Sequence, residues 1–542
     1  MIRHILKKDW NLLWQLVALQ VAIQIALSWD VYKSGFFGED VAANALLRPL
    51  MLAWYAAIAA VVTAVVHQDP VPGVDQDWLI RPLKRTDLLS AKVLFVLMTV
   101  SAPMFVLDLL HAHALGFVWP MSARHALFKE FYVFVCLIVP ILALAASTRN
   151  MTELITLGAT LIVVYAVSTL IGGLVFGPNH CPTCGTGVEW IQHLLQHAGL
   201  FAGAIVVLTL QYRRRLTTAS LVLLVCGAVA LVFLQLPWKS AFALQTRLQE
   251  SASKIPVGIA FDAEAASGSD KPTGENPGGA SQAAHALLRG DVGRAVEYLR
   301  RRGRSTGIPV AADLPLRIDH VPPGNLVLFD RSELHLLDPR GRNLYSETNA
   351  SPPSWPDPNE AGRDSYLAHQ TLYLPAEIAK SMDERTRLRI DYYMTLVAPS
   401  GTYRVAAIGG DMRAPEAGVC ATHLNQSDAI ILLRCKQVGR LPFCYSATLY
   451  GPDGHADVTK SSCSPDYRPY LPPISVVSSL YGLLIPIPDR YLIAHHTVDT
   501  SQLGRSHLLV KFYAARGHFT RSVEIDNFPL HRQGGDQPRV SR

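Results

Sequence analysis

Seven apolar stretches dominate the first 236 residues of the chain. They lie at about 11–29, 44–66, 93–115, 128–147, 153–176, 197–211 and 217–236. A helix needs roughly 20 consecutive apolar residues to cross the core of a bilayer, so the pattern predicts an α-helical integral membrane domain over residues 1–236. The stretch at 197–211 is the shortest and gives the weakest prediction. Asp30 stands where a signal peptide would need small residues for cleavage, so we expect the first stretch to remain as a helix.

The pattern changes after Trp238. Residues 262–283 are rich in Gly, Ser, Ala, Asp and Pro, as in a flexible linker, and residues 284–302 have helical periodicity. From about residue 308 apolar positions alternate with polar ones, which favours strands. We therefore assign 237–307 to a linker and 308–542 to an all-β, sandwich-like region of one or two modules. The predicted strands lie at 325–329, 333–337, 388–392, 403–407, 430–434, 446–450, 507–512 and 522–525, with turns at 338–341 and 452–454.

The composition averages these two unlike parts. The 542 residues are 50% hydrophobic and 17% charged, whereas an average soluble domain is about 25% charged. The mean hydropathy is +0.21. Fewer than a third of the charged residues lie within 1–236. The net charge of +6 is spread over both parts, so we expect no nucleic-acid partner.

Lysine and arginine are distributed unequally between alternate loops of the membrane domain. Cytoplasmic loops carry the excess of these residues. We therefore predict a multi-pass protein of the cell (inner or plasma) membrane, with its N-terminus in the cytoplasm. After seven crossings the β region would lie outside the cell or in the periplasm. The eleven basic residues of the richer set are Arg3, Lys7, Lys8, Arg81, Lys84, Arg85, Lys92, Arg149, Arg213, Arg214 and Arg215; the poorer set holds Lys33, Arg48, Arg124 and Lys129.

Six of the eight cysteines fall on the predicted outer side, where oxidising conditions favour disulfides. Four of them allow three pairings, and the sequence does not choose among these. One pairing joins Cys435 to Cys444 across a short hairpin and leaves Cys420 with Cys463. The expected disulfide cysteines of the β region are Cys420, Cys435, Cys444 and Cys463.

The loop before the sixth stretch contains Cys181 and Cys184, followed by His193 and His197. Two cysteines and two histidines form the ligand set of a tetrahedral zinc site, and histidines four residues apart lie on one face of a helix. The eight residues between the two pairs are fewer than zinc fingers usually have. A Cys181–Cys184 disulfide is the favoured interpretation, with zinc binding and free thiols as alternatives.

Asp108 is the clear acidic residue within a predicted span, and His111 lies one helical turn further on. Ionisable groups inside a membrane are costly and suggest a functional site. Because this pair lies towards the outer end of its span, we favour an ion pair or an interfacial position over a proton or ion relay.

The loop between the second and third stretches, at 67–92, is the longest on the cytoplasmic side. Its segment Arg81-Pro82-Leu83-Lys84-Arg85, then Leu88-Leu89 and Ala91-Lys92, resembles the corresponding loop of ABC-type exporter permeases. The start of the chain, Leu6-Lys-Lys-Asp-Trp10, is also similar to that family. The resemblance covers residues 1–236. It implies that the loop docks on a separate ATP-binding subunit through Arg81, Pro82, Lys84, Arg85 and Lys92, and that two copies work as a homodimer.

The chain itself carries no G-x-x-x-x-G-K-[ST] phosphate loop and no H-E-x-x-H or G-x-S-x-G motif. We therefore expect no enzyme activity and no cofactor in this chain, apart from the alternative of zinc. The leading hypothesis is a permease subunit in the bilayer with a fused outer β domain. The alternatives are a membrane-anchored sensor or scaffold whose β domain binds a ligand or partner, and, least favoured, a zinc-dependent membrane enzyme.

Overall fold

The structure is a computed structural model of the 542-residue chain. It describes residues 2–33, 47–69, 85–114, 117–176, 188–234, 236–248, 255–263, 265, 310–350, 365–382, 385–414, 418–425, 430–438, 444–463, 484–486, 491–494, 503–526 and 528. The described part consists of a helical region followed by a β-rich region.

Ten helices and three π-helical segments form the helical region in the described part of the chain. The π segments join α3 to α4 and α5 to α6, and the third one extends α8. The bounds are α1 (Ile2–Lys33), α2 (Leu47–His67), α3 (Arg85–Val96), π1 (Leu97–Ser101), α4 (Ala102–Ala114), α5 (Trp119–Val133), π2 (Phe134–Ile138), α6 (Val139–Ala146), α7 (Met151–Phe176), α8 (Glu189–Thr209), π3 (Leu210–Arg214), α9 (Thr217–Phe233) and α10 (Trp238–Leu248).

Five of these helices are long and apolar enough to cross a membrane, or six if α9 and α10 count as one broken span. This is fewer than the seven predicted. The five comprise α1, α3–α4, α5–α6, α7 and α8 with π3. The apolar part of α2 is shorter, over Leu52–His67, and α9 meets α10 at an angle of 87°. The weakest prediction, 197–211, lies in the 25-residue span Trp190–Arg214, because the helix begins well before the apolar run.

A proline follows each of the first two π segments by two residues. In π1 the amide of Ala102 donates to the carbonyl of Leu97, five residues back, and Pro103 comes next. In π2 the amide of Val139 donates to Phe134 in the same way, ahead of Pro140. Proline lacks an amide hydrogen and its ring clashes with the preceding turn. A widened π turn accommodates both effects without ending the helix.

Fourteen β-strands form three sheets in the described part of the chain. The six-stranded sheet runs β11-β10-β14-β6-β3-β4, the five-stranded sheet includes β12-β9-β8-β7 with β13 on β9, and the third sheet is β1-β2-β5. The bounds are β1 (Gly258–Phe261), β2 (Val310–Asp319), β3 (Leu326–Leu337), β4 (Asn343–Ala350), β5 (Tyr366–Leu374), β6 (Arg387–Ala406), β7 (Asp411–Ala414), β8 (Gly418–Asn425), β9 (Ile430–Val438), β10 (Cys444–Tyr450), β11 (Ala456–Cys463), β12 (Leu484–Pro486), β13 (Tyr491–Ala494) and β14 (His507–Ile525), with a short helix α11 (Ala376–Ser381).

The six-stranded sheet contributes to two separate apolar cores. One half packs against β1-β2-β5, burying Leu316, Leu336 and Tyr392 in one core. The other half packs against the five-stranded sheet, burying Ile431 and Val510 in a second core. The long strands β6 and β14, which pair along almost their whole length, run through both cores.

Several predicted strands merge in the structure. The segments 388–392 and 403–407 both belong to β6, and 507–512 and 522–525 both belong to β14. The turns at 338–341 and 452–454 are confirmed, because Gly341 and Gly454 adopt positive φ values of 77° and 80°. Within the segment assigned to the linker, the structure places α10 and β1. The helix predicted at 284–302 lies outside the described residues.

Candidate functional site

Four charged side chains meet where α1, α2 and α3 come together. Lys8 and Asp9 lie in the first turns of α1, Asp69 follows the end of α2, and Lys92 lies in α3. The Lys92 ammonium is 3.0 Å from Asp9 Oδ2 and 2.7 Å from Asp69 Oδ2. Lys8 donates to the same Asp69 carboxylate at 2.7 Å. Two positive and two negative charges therefore balance within this charge cluster.

Burial distinguishes the members of the charge cluster. The side chains of Lys92 and Asp9 are 1% and 0% exposed, whereas that of Lys8 is 38% exposed. Burial raises the pKa of Asp69, but the Lys92 and Lys8 ammonium groups more than offset this effect, so its pKa lies below the usual value. Removing one partner from such a buried group leaves a charge without compensation, which is strongly destabilising.

His67 makes a second link at the same end of the helices. Its Nε2 atom lies 3.1 Å from Thr148 Oγ1 and 3.2 Å from the Ala145 carbonyl, at the end of α6. The ends of α1, α2, α3 and α6 are thus held together by polar contacts. The described chain stops at Asp69 and resumes at Arg85, at the start of α3.

The structure describes only some of the predicted docking residues. Arg81, Pro82 and Lys84 lie outside the described residues, and so does the side chain of Arg85, whose backbone opens α3. Lys92 is fully buried in the charge cluster. It therefore faces the protein interior rather than a partner surface, and any part it plays in docking is through positioning the loop.

A second buried ion pair lies between α4 and α5. Lys129 Nζ donates to Asp108 Oδ2 at 2.7 Å, and both side chains are about one-tenth exposed. The neighbouring Glu130 is 5% exposed, and neither of its carboxylate oxygens has a hydrogen-bond partner in the described part of the chain. The sequence analysis assigned Lys129 to a loop, so the ion pair of Lys129 with Asp108 was not predicted.

The two histidines of the predicted zinc loop lie one turn apart in α8. His197 Nδ1 is 2.6 Å from the His193 carbonyl, and the two rings are 6.4 Å apart. They share a helix face as predicted. Cys181 and Cys184 lie outside the described residues, so the choice between a disulfide and zinc stays a prediction.

A disulfide joins Cys420 on β8 to Cys435 on β9. These residues face each other in the strand register, so the suggested pairing of Cys435 with Cys444 is wrong. The short hairpin expected between Cys435 and Cys444 does not form because they lie in strands of different sheets. Cys444 is also disulfide-bonded, and Cys463 is its register partner on β11.

A buried polar network joins the helical region to the six-stranded sheet. Trp190 at the start of α8 donates to Gln245 Oε1 on α10 at 3.1 Å. Gln245 Nε2 lies 2.6 Å from His518 Nε2, and His518 Nδ1 lies 2.6 Å from Thr395 Oγ1, which donates to Asp330 at 2.6 Å. All of these bonds are satisfied together if His518 carries its proton on Nδ1. No sequence motif signals this network, because its members are up to 328 positions apart along the chain.

Aromatic and charged residues surround this contact. Trp238 and Phe242 of α10 pack on Tyr393, and the Arg331 guanidinium lies 4.6 Å above the Trp238 ring. Lys239 of α10 reaches Glu333 on β3 at 2.7 Å. In the described part of the chain, Glu333, His335 and Asp391 are the group of side chains suited to hold a metal ion.

Comparison with known proteins found no match among family models, curated proteins or solved structures.

Proposed function

We propose that this chain is the membrane subunit of an ABC-type transporter, coupled through its 67–92 loop to a separate ATP-binding subunit. The buried charge cluster is the observation that carries this proposal. It fixes both ends of the loop, at Asp69 and Lys92, to the first turns of α1. A movement of the loop, driven by a docked ATPase, would therefore be transmitted directly to α1, α2 and α3.

The proposed topology has seven crossings, with α2 and α9 completing the set, a cytoplasmic N-terminus and an outer β region. Contacts at the two ends of the helices support it. The charge cluster joins the first turns of α1 to the end of α2 and to α3, and Arg213 and Arg214 lie at the end of π3. If the helices cross the membrane one after another, these positions fall on the same side of it. At the other end, Gln192 near the start of α8 accepts from the Leu236 amide after α9 at 2.7 Å, and Trp190 contacts α10 beside the β region.

The proposed partners are the lipid bilayer and a second copy of the chain. The exposed apolar side chains of α7 support this, since Ile162 and Leu174 are 70% and 77% exposed. Apolar faces of this kind suit contact with acyl chains or with another helix.

Co-purification tests the permease proposal. Affinity-tagged chain is extracted from its native membrane in mild detergent, and any nucleotide-binding subunit is identified by mass spectrometry. The double variant Arg81→Glu/Arg85→Glu should lose that subunit. Arg124→Glu, an exposed arginine on α5 away from the loop, is the matched control and should retain it.

The second candidate function is a sensor or scaffold that does not transport. The observation that favours it is the buried network from Trp190 to Asp330, because it couples the β region to the helices without using the 67–92 loop. If the purified complex contains no nucleotide-binding subunit and the loop variants change nothing, the permease proposal fails and this candidate takes its place.

A further inference from the structure

Three metal-binding side chains converge on one face of the six-stranded sheet. Glu333 and His335 are two residues apart on β3, so they point to the same face. Asp391 lies directly opposite Glu333 on β6. One ligand atom from each residue lies within 4.8 Å of the other two. Two ligand atoms that are each about 2.0–2.2 Å from one zinc ion lie at most about 4.4 Å apart, so the side chains would move closer together as the ion binds.

The hydrogen bonds around this group leave part of it available. Lys239 and the Tyr393 hydroxyl both bind Glu333 Oε2, at 2.7 and 3.3 Å. The Asp391 carboxylate accepts through Oδ1, from Ser522 at 2.6 Å and from Arg389 at 3.2 Å. One oxygen of each carboxylate thus stays without a bond in the described part of the chain. Ser522 orients Asp391 in the way that outer-shell groups orient metal ligands.

The two carboxylates of this group attract cations. Glu333 is 3% exposed and its carboxylate faces Asp391 across the strand pair. Lys239 pairs with Glu333 and Arg389 pairs with Asp391, and their side chains are 65% and 44% exposed. The Arg331 guanidinium is also attracted by Glu333. A divalent ion could replace both of these pairings, because exposed lysine and arginine side chains can move away as the ion binds. His335 and Asp391 are half-buried, so the group can be reached from solvent.

We propose that Glu333, His335 and Asp391 form a binding site for a divalent transition-metal ion, with Zn²⁺ as the ion that best suits one imidazole and two carboxylates. Lys239 and Arg389 are the cations that the metal displaces. The site joins β3 to β6 next to the contact with α10. It is separate from the Cys181, Cys184, His193 and His197 loop and does not depend on transport.

The experiment measures Zn²⁺ binding to the full-length chain in detergent after removal of metals with a chelator. Isothermal titration gives the affinity and stoichiometry, and mass spectrometry of the eluted protein gives bound zinc. His335→Ala should weaken binding by more than about 100-fold, because it removes a direct ligand rather than an outer-shell group. Asp391→Asn should act in the same direction. Lys239→Gln should tighten binding by about two- to fivefold, since it removes a competing cation that is largely exposed.

Controls separate this site from other histidines. His455→Ala changes an exposed histidine outside the group and should bind Zn²⁺ like the wild type. Far-UV circular dichroism and elution volume check that each variant is folded. The proposal is overturned if folded His335→Ala binds as tightly as the wild type, if the site is lost in His193→Ala instead, or if the wild type binds no zinc.

Discussion

The charge cluster at the ends of α1, α2 and α3 allows a matched pair of substitutions. Lys8 and Lys92 both lie 2.7 Å from Asp69 Oδ2, but their side chains are 38% and 1% exposed. Lys92→Met and Lys8→Met therefore remove the same charge from the same partner and differ in burial. If burial determines the energy of the cluster, the two variants should differ greatly in stability.

The expected magnitudes follow from what each substitution leaves behind. Lys92→Met leaves Asp9, which is 0% exposed, with only the Lys8 ammonium at 3.7 Å. Removing one partner of a buried pair costs about 3–5 kcal/mol, and we expect about 4 kcal/mol here. Lys8→Met should cost less than about 1 kcal/mol, because exposed pairs are screened by water. Replacing the buried pair by Asp9→Leu/Lys92→Met should return the stability to within about 1 kcal/mol of the wild type.

The free energy of unfolding is measured in detergent micelles by titration with a denaturing detergent, with tryptophan fluorescence as the signal. A thermal scan of the same samples gives an independent ranking. The reasoning is refuted if Lys8→Met and Lys92→Met lose the same stability. It is also refuted if the double variant is no more stable than Lys92→Met alone.

Three further predictions test other parts of the chain. Asp108→Asn should lower the unfolding free energy by about 3 kcal/mol, because it leaves the buried Lys129 without its ion-pair partner. Glu130→Gln removes a buried carboxyl group that has no hydrogen bond in the described part of the chain and should not lower it; equal losses in the detergent titration would contradict this. Cys420→Ser should cost about 3 kcal/mol, as for a closed loop of 15 residues, and Cys226→Ser, an exposed free thiol, should cost almost nothing in the same thermal scan. Since the pKa of Asp69 is held below its usual 3.8, its contribution to stability should be fully present above pH 3.8 and be lost as the pH falls further; a pH series of thermal midpoints that declines already between pH 7 and pH 5 in wild type but not in Asp69→Asn would show otherwise.

The positions of the helices could be predicted from the sequence, but the contacts between the helices could not. Hydrophobic runs locate helices because each residue contributes locally to bilayer partition, so the segments at 93–115 and 128–147 correspond well to helices that are long and apolar enough to cross a membrane. The start of the helix around 197–211 was missed because Trp190 and His193 are not apolar enough to extend the run. Partners such as Asp108 and Lys129 are set by how helices pack, and nothing in the spacing of one helix encodes its neighbour.

The same limit applies to the β region. Alternation identified 388–392 and 403–407 as strands but not as one strand, because Pro399 and Gly401 between them resemble a turn. The turn at Asp338 was predictable, since Asp-Pro-Arg-Gly is a local signal, and Gly341 donates to the Asp338 carbonyl at 2.8 Å. The metal-binding group could be found only after the register placed Asp391 opposite Glu333.

The position of β14 in the six-stranded sheet has a consequence for how the chain is made. β14 is the last strand in the described sequence, yet it lies between β10 and β6 in the sheet. The hairpin β10–β11 and the group β6-β3-β4 therefore stay separate until residues 507–525 have been synthesised. Pairing over such sequence separations is slow, and the open edges of β6 and β10 can meanwhile recruit other strands. The six-stranded sheet can therefore close only after residues 507–525 have been synthesised, and a chaperone that shields these edges would raise the yield of folded protein.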